Sequence, residues 1–547
     1  MGPSARRLFE SVDSAIPARV RERVKRGYWR QQRRTPLLAA ESGQGGRSRH
    51  RPPRLGVVGV LPGLPLPTRR LDAALGAHAG DVDLALVAPG PLDPVLGALI
   101  DCEDAGIPLV ALVGSEEELR SETVACATAI CATTERLARA ATEVVPAEFV
   151  TTVPTVARIR PLPLVTPSNG NGSHVLSWGG GDPTKGTADL GPVVRVPPHL
   201  DAHDDIAELA RHAIALLAPS ATAPAHEFTL AAALAACGTP VVGPSGPEHP
   251  LKGLLTAIRA GALVPSDTAA AIEALRSEHA LRAIAGTRAR RYALRHLSAG
   301  AFIRRLLDIT RLPSTPWSVS AIVEIGDAAE LPSLRASLAR QSIPPTDVVL
   351  AVPRGQLPGA MLEIASFPWP VSIVVADRRW LLRALKTATG KFVAFLTGRT
   401  LYGSEHLRDL LLELDASGAW MCGQTSEFLY DRDRDETART PLRSDRHSGD
   451  LLAGTTLLAK DRALRDARLG RAHDPGDLQC RFVRAGGRLH VVHPYGALRA
   501  GHLDDTALER RVGSDWSVAL PDGDGGLAFG PVPRQAADDR GRSGRTA

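Results

Sequence analysis

Short apolar runs of strand length alternate with helix-period stretches along most of this chain. Continuous apolar runs occur at 55–61, 84–87, 109–113 and 129–132, with helical patterns between several of them. After a loop rich in Pro, Ser, Asn and Gly at 161–173 the alternation resumes. A strand is predicted at 174–178, a helix at 204–213, a strand at 214–217, a helix near 227–236 and a long helical region at 280–310. A third round begins at Val319. The run 319–327 reads as a buried strand ending in a turn, and Leu331, Leu334 and Leu338 come next at helical spacing. Further strands are predicted at 344–352, 371–375 and within 388–396, then a helix from Ser404. Strands without a polar face, joined by helices, imply parallel sheets covered on both sides.

Length and charge divide this pattern. A chain of 547 residues is too long for one core, and about two to four domains are expected. The shifts in pattern set boundaries: 1–53 basic tail and linker, 54–170, 171–311 and 317–515 folded, and 516–547 a disordered tail rich in Gly, Asp and Arg. Leu312 to Trp317 is a proline-stiffened linker. Residues 1–54 hold fourteen Arg and Lys against four Asp and Glu, a net +10, so the rest of the chain carries −4 within the total of +6. The sequence pI of 9.2 therefore belongs to the tail. Residues 1–35 can form a basic helix interrupted near Pro17, with Tyr28 and Trp29 among the arginines. That composition suits an anionic membrane surface, contact with nucleic acid, or a solvated tail; no specific nucleic-acid partner is expected. The six cysteines form no C-x-x-C pair and no metal-ligand spacing, so buried free thiols are expected, as in a reducing cytoplasm. No signal peptide or membrane-spanning run is visible, and the expected location is cytoplasmic, at the inner membrane face if the tail binds lipid.

The third stretch resembles family 2 glycosyltransferases of the GT-A fold. Their signature reads roughly A-T-G-x-Y-V-A-F-L-D-x-D-D; Ala388-Thr-Gly390 and Phe392 to Leu396 match, and the acidic cluster has become Thr397, Gly398, Arg399 and Thr400. Those carboxylates would hold a divalent cation on the donor diphosphate, which Thr and Arg cannot do. The acidic pair after the second strand is replaced by Ala351 and Val352, and an A-R-N motif by Trp380-Leu-Leu382. The G-E-D-x-D-L segment that supplies the family's general base aligns with His473-Asp-Pro-Gly-Asp-Leu478. The resemblance thus makes Asp474 and Asp477 the candidate catalytic residues. Both can equally cap the following helix. Arg399 would place a fixed cation near a diphosphate, or face solvent from a turn.

The second stretch resembles the C-terminal half of GT-B glycosyltransferases of the group 1, or family 4, kind and the spore-coat glycosyltransferase-like proteins. It shares the strand followed by Gly179 and Lys185-Gly, the strand end Pro219-Ser220, and Cys237-Gly-Thr-Pro-Val-Val242. Gly179 and Lys185 would cradle phosphate there. The family's arginine is Gly180 here, and its E-x7-E acids fall on Ala225 and Ala233. Glu227 is the nearest acid, two positions away and so about 200° round a helix. The implied fold class is α/β: two Rossmann-like halves of GT-B kind followed by a GT-A-like α/β domain. The implied function is transfer of a sugar from a nucleotide-sugar donor to a cell-surface glycan or lipid-linked acceptor, with no cofactor and no metal. The lost motifs leave open a catalytically inactive scaffold or binding protein. A nicotinamide oxidoreductase is disfavoured, since Gly56, Gly59 and Gly63 do not make G-x-G-x-x-G.

Overall fold

Runs of Val, Leu, Ile and Ala with no polar face are accommodated only inside a sheet covered on both sides. The computed structural model of the chain places them so. It describes residues 55–58, 68–71, 82–153 apart from 93–94, 174–178, 193–196, most of 206–259, 264–312, 317–424 and segments of 428–531. The basic N-terminal segment, Gly179 and Lys185 lie outside the described residues.

The fold is mixed α/β with Rossmann-like parallel sheets. The first sheet has strands β1 (Leu55–Val58), β2 (Thr68–Leu71), β3 (Leu84–Val87), β4 (Leu109–Val113), β5 (Ala129–Ala132) and β6 (Val150–Thr152). Their order is β2-β1-β3-β4-β5-β6, all parallel. The second sheet joins β7 (His174–Ser177), β8 (Val193–Arg195), β9 (Ala213–Leu217) and β10 (Val241–Val242) in the parallel order β10-β9-β7-β8.

The third sheet is built from β11 (Val319–Glu324), β12 (Asp347–Val352), β13 (Val371–Val375) and β14 (Phe392–Thr397). β15 (Thr400–Tyr402) leaves it, and β16 (Met421–Gln424) returns to it. β17 (Phe428–Asp431) and β18 (Glu436–Arg439) belong to a smaller sheet, β19 (Thr455–Ala459) and β20 (Leu489–Val492) to the main one, and β21 (Ala497–Ala500) pairs with β15 and β17. The main order is β13-β12-β11-β14-β19-β16-β20, parallel except for β19.

The helices that border the sites and the contacts between units are α1 (Ala225–Ala236), α2 (Lys252–Arg259), α3 (His279–Tyr292), α4 (Ala299–Ile309), α5 (Leu331–Ala339), α6 (Trp380–Thr387), α7 (His406–Ser417) and α8 (Pro475–Arg484). In α5 the stripe Leu331, Leu334 and Leu338 is buried, as its spacing predicts. The helical region expected at 280–310 divides in two. After a π-helical turn at Ala293–Leu297, Ser298 leaves helical geometry (φ −74, ψ 158) and caps α4 by accepting from the Ala301 N–H at 3.1 Å. Within the segment expected as a tail from residue 516, Trp516–Ala519 pairs with Arg511–Val512 and Ala528–Pro531.

The Ala388-Thr-Gly390 motif is a packing device at the amino end of the third sheet. Buried Ser320 on β11 donates to Asp347 Oδ1 on β12 (2.6 Å), and Thr389 Oγ1 donates to the same oxygen (2.7 Å). The Gly390 N–H donates to Ser320 Oγ at 2.7 Å, so close that a Cβ would lie 2.5 Å from the Ser320 nitrogen.

Among the described residues, ion pairs join the second unit to the third. Arg290 and Glu413 are both buried, with Nε donating to Oε1 and Nη2 to Oε2, each at 2.5 Å. Arg290 also donates to the Ala236 carbonyl, and His490 Nε2 lies 2.8 Å from Glu413 Oε2. Arg291–Asp409 (2.7 Å), Arg295–Glu405 (3.9 Å) and Arg304–Asp415 (3.5 Å) extend the contact along α3 and α4. Gly286, inside α3, meets the Gly238 carbonyl so closely that no Cβ fits. Alanine normally gains about 1 kcal/mol over glycine inside a helix. Gly286→Ala should instead destabilise by about 1–3 kcal/mol in urea unfolding. A stabilised variant would show that the approach is not tight.

Candidate functional site at the sheet switch point

In the third sheet the chain builds outward from β11 through β12 to β13, then crosses back to place β14 on β11's other side. Ligands of open α/β sheets bind outside the carboxyl ends of the strands at such a reversal. The two ends here are Glu324 and Thr397, which are register partners. The Gly398 N–H donates to the Glu324 carbonyl at 3.1 Å and closes the turn. A Cβ on Gly398 would collide with the Glu330 carboxylate, so glycine is required there.

Arg399 follows in that turn. Its Nε donates to Glu330 Oε1 at 2.9 Å, while its side chain is 59% exposed and that of Glu330 only 13%. Glu330 Oε2 accepts from the Gly326 N–H at 3.2 Å. One carboxylate thus ties the turn after β14 to the loop after β11.

The amino end of α8 is the third element of the site. Asp474 caps it, Oδ1 accepting from the Asp477 N–H at 2.8 Å. Asp477 accepts from Arg481 Nε (2.9 Å) and from the His473 N–H (3.1 Å). The Arg481 hydrogen bond chiefly holds the Asp477 carboxyl below its usual range. The His473 ring contacts the Arg378 carbonyl at 3.1 Å, which fastens α8 to the loop after β13. In that loop Asp377 accepts from the Arg379 N–H (2.8 Å) and pairs with Arg383 (2.9 Å).

Glu324 and Asp474 are close enough to feel each other. Desolvation, then the Asp474 charge, raises the Glu324 pKa. A carboxyl raised in this way beside a second acid is suited to an acid role. Arg354, Arg378, Arg379 and Arg399 supply exposed positive charge along the same sheet edge. Sequence reasoning misses Glu324, Glu330 and Arg378. The one signal it offers is an acid at the end of an otherwise apolar strand.

The replaced motif positions have a plain explanation. Ala351 and Val352 are fully buried in β12, and Trp380 and Leu381 pack into the core from α6. Glu227 is half-buried in the first turn of α1, on a different unit from Asp474 and Arg399. Ala233, where the family's second acid falls, is a core residue. Of the sequence-derived candidates, Arg399, Asp474 and Asp477 lie on elements that border the switch point; Glu227 does not.

No protein-family model matches the chain, and no curated protein matches it. Among solved structures it is similar to TarS 1–349 of S. aureus in complex with UDP-GlcNAc (16% identity, 35% of this chain and 60% of that chain, TM-score 0.26). It is likewise similar to S. aureus TarS (16%, 34% and 37%, 0.27) and to TarS 1–349 in complex with UDP (16%, 34% and 60%, 0.26). The chain thus spans 60% or less of the length of these structures. At such scores the likeness adds nothing to the geometry of the site. Among the described residues no helix is long and apolar enough to cross a membrane.

Proposed function

We propose that the third unit is a glycosyltransferase-like transferase, taking a nucleotide-sugar donor at the β11–β14 switch point without a divalent metal. The carrying observation is the convergence there of Glu324, Arg399 and the cap of α8. In this reading Arg399 leaves Glu330 and faces the donor diphosphate. The anomeric carbon–phosphate oxygen bond breaks, and the leaving diphosphate takes the electron pair beside that fixed cation. The acceptor hydroxyl oxygen attacks the anomeric carbon and gives its proton to Asp474, whose second carboxylate oxygen is not used by the cap. A cell-surface glycan or lipid-linked hydroxyl is the proposed acceptor class, and the chain's earlier units are proposed as GT-B-like.

A second reading has its own support. The Arg399–Glu330 ion pair, the Asp474 cap and the Asp477–Arg481 pair account for these residues without any ligand. A scaffold with a decayed transferase fold would keep them.

Titration of the full chain with UDP, GDP and ADP separates the two. The transferase reading expects one nucleotide to bind equally well with EDTA, and about tenfold more weakly in Arg399→Ala. Severalfold tighter binding with Mn²⁺ would end the metal-free part, and no binding of any nucleotide would favour the scaffold.

A further inference from the structure

A cavity of about 740 Å³ lies where the three units meet, away from the switch point. Its walls come from the strand ends of the first sheet, from α2, from the α3–α4 region and from Glu405 just before α7. The volume is that of a small-molecule site.

Its charge is one-sided. Lys252, Arg288, Arg291, Arg295 and Arg305 line it, against the carboxylates of Glu135 and Glu405. Part of this charge is internally matched: Arg291 pairs with Asp409 at 2.7 Å, and Glu405 is shared by Arg408 (3.3 Å) and Arg295 (3.9 Å). Arg305 donates to the Thr152 carbonyl of the first unit at 2.6 Å, and its other terminal nitrogen lies 3.3 Å from His296 Nδ1 of the second. Lys252 is exposed at the amino end of α2, where the helix dipole adds positive potential.

His296 reports the resulting field. Burial, then Arg305, Arg295, Arg408 and Arg304, hold its pKa down to about 4. Its neutral ring stacks on Tyr292, with centroids 4.5 Å apart and planes inclined by 36°. The Tyr292 hydroxyl in turn leaves no room for a Cβ at Gly253, so the α2 backbone lies directly against this aromatic pair. Threonine hydroxyls at 133, 134, 152 and 256 supply further hydrogen-bond donors.

We propose that this cavity binds a diphosphate group, as a second anion site distinct from the one at the switch point. Clustered guanidinium and ammonium groups with hydroxyl donors match a compact group carrying two or more negative charges. Monovalent anions gain less from such a cluster. The aromatic pair offers a flat wall to whatever the diphosphate is attached to.

The test uses the full chain carrying Arg399→Ala, which removes a cation of the switch-point site, and inorganic pyrophosphate as the probe in calorimetric titration. Pyrophosphate should still bind, and adding Lys252→Glu should weaken it by about tenfold without moving the melting temperature. Arg288→Gln should weaken it similarly. UDP and farnesyl diphosphate then separate a nucleoside from a lipid source of the same group, by which of them binds more tightly than pyrophosphate. The proposal is overturned if pyrophosphate does not bind the Arg399→Ala chain, or if both Lys252→Glu and Arg288→Gln leave its affinity unchanged. Because Arg399 is already absent, failure here is distinguishable from failure of the transferase reading.

Discussion

Glu413→Gln should destabilise the protein by about 3–5 kcal/mol, the cost of leaving a buried charge without its partner. Arg290 and Glu413 have side chains 4% and 3% exposed, so water cannot compensate the loss. Removing both charges together, as Arg290→Met with Glu413→Leu, should cost far less, because a hydrophobic pair of similar volume needs no desolvation. Urea unfolding of the single and double variants checks this. Equal losses in both would show that packing, and not the ion pair, carries the effect. The pH dependence comes from the same pair. Burial pushes the Glu413 carboxyl up, but Arg290 and the hydrogen bonds from Arg290 and His490 outweigh it and bring it to about 2 from an ordinary 4.5. A depressed carboxyl stabilises above its unfolded value. The contribution is therefore full above about pH 5 and is lost as pH falls from 4.5 towards 2.

On the proposed transferase reading, Asp474→Ala should slow sugar transfer by about 10²–10⁴-fold, the usual span for a lost general base. It also removes a helix cap, worth about 1 kcal/mol. Asp474→Ser separates the two roles, since serine caps well and cannot act as a carboxylate base. The serine variant should keep the wild-type melting temperature and lose transfer as completely as alanine does. If serine restores transfer along with stability, Asp474 is only a cap and the base lies elsewhere, with Glu324 the next candidate. The assay uses whichever donor the nucleotide titration identifies, measured as kcat and KM separately.

Much of the scaffold was legible in the residues. Strands such as Asp347–Val352 are apolar on both faces, and Leu331, Leu334 and Leu338 keep helical spacing, so period alone located them. The Asp474-led helix was legible because Asp, Pro and a second acid form a local start signal. What periodicity cannot carry is contact between distant segments. Arg290 and Glu413 are 123 residues apart, and each looks like one more solvent-facing charge on its own helix. Glu330 gave no hint that it would hold Arg399, 69 residues later. The break at Ser298 is hidden in the sequence for a different reason. Alanine, leucine and arginine run through it with high helix propensity, and the change to an extended backbone depends on where α4 must pack. The Ala388-Thr-Gly390 motif carries a family resemblance in the sequence, and its physical content is the buried Ser320–Asp347–Thr389 network.

That break at Ser298 acts as a joint. Phe302 and Leu306 of α4 sit in the core of the first sheet, whereas Leu281, Ala285 and Ala289 of α3 sit in the core of the second. The ion pairs of Arg290 and Arg291 clamp α3 to α7, so the second and third units are coupled as one body. Thr133, Thr152 and Arg305 would then form one jaw of the basic cavity, and Lys252, Arg288 and Tyr292 the other. Rotation about residue 298 would widen or narrow the gap between the jaws, and would have to break the Arg304–Asp415 pair (3.5 Å) that ties α4 to α7 and the Arg305–His296 contact (3.3 Å). A diphosphate held by both jaws would favour the closed setting by the difference in its affinity for the two.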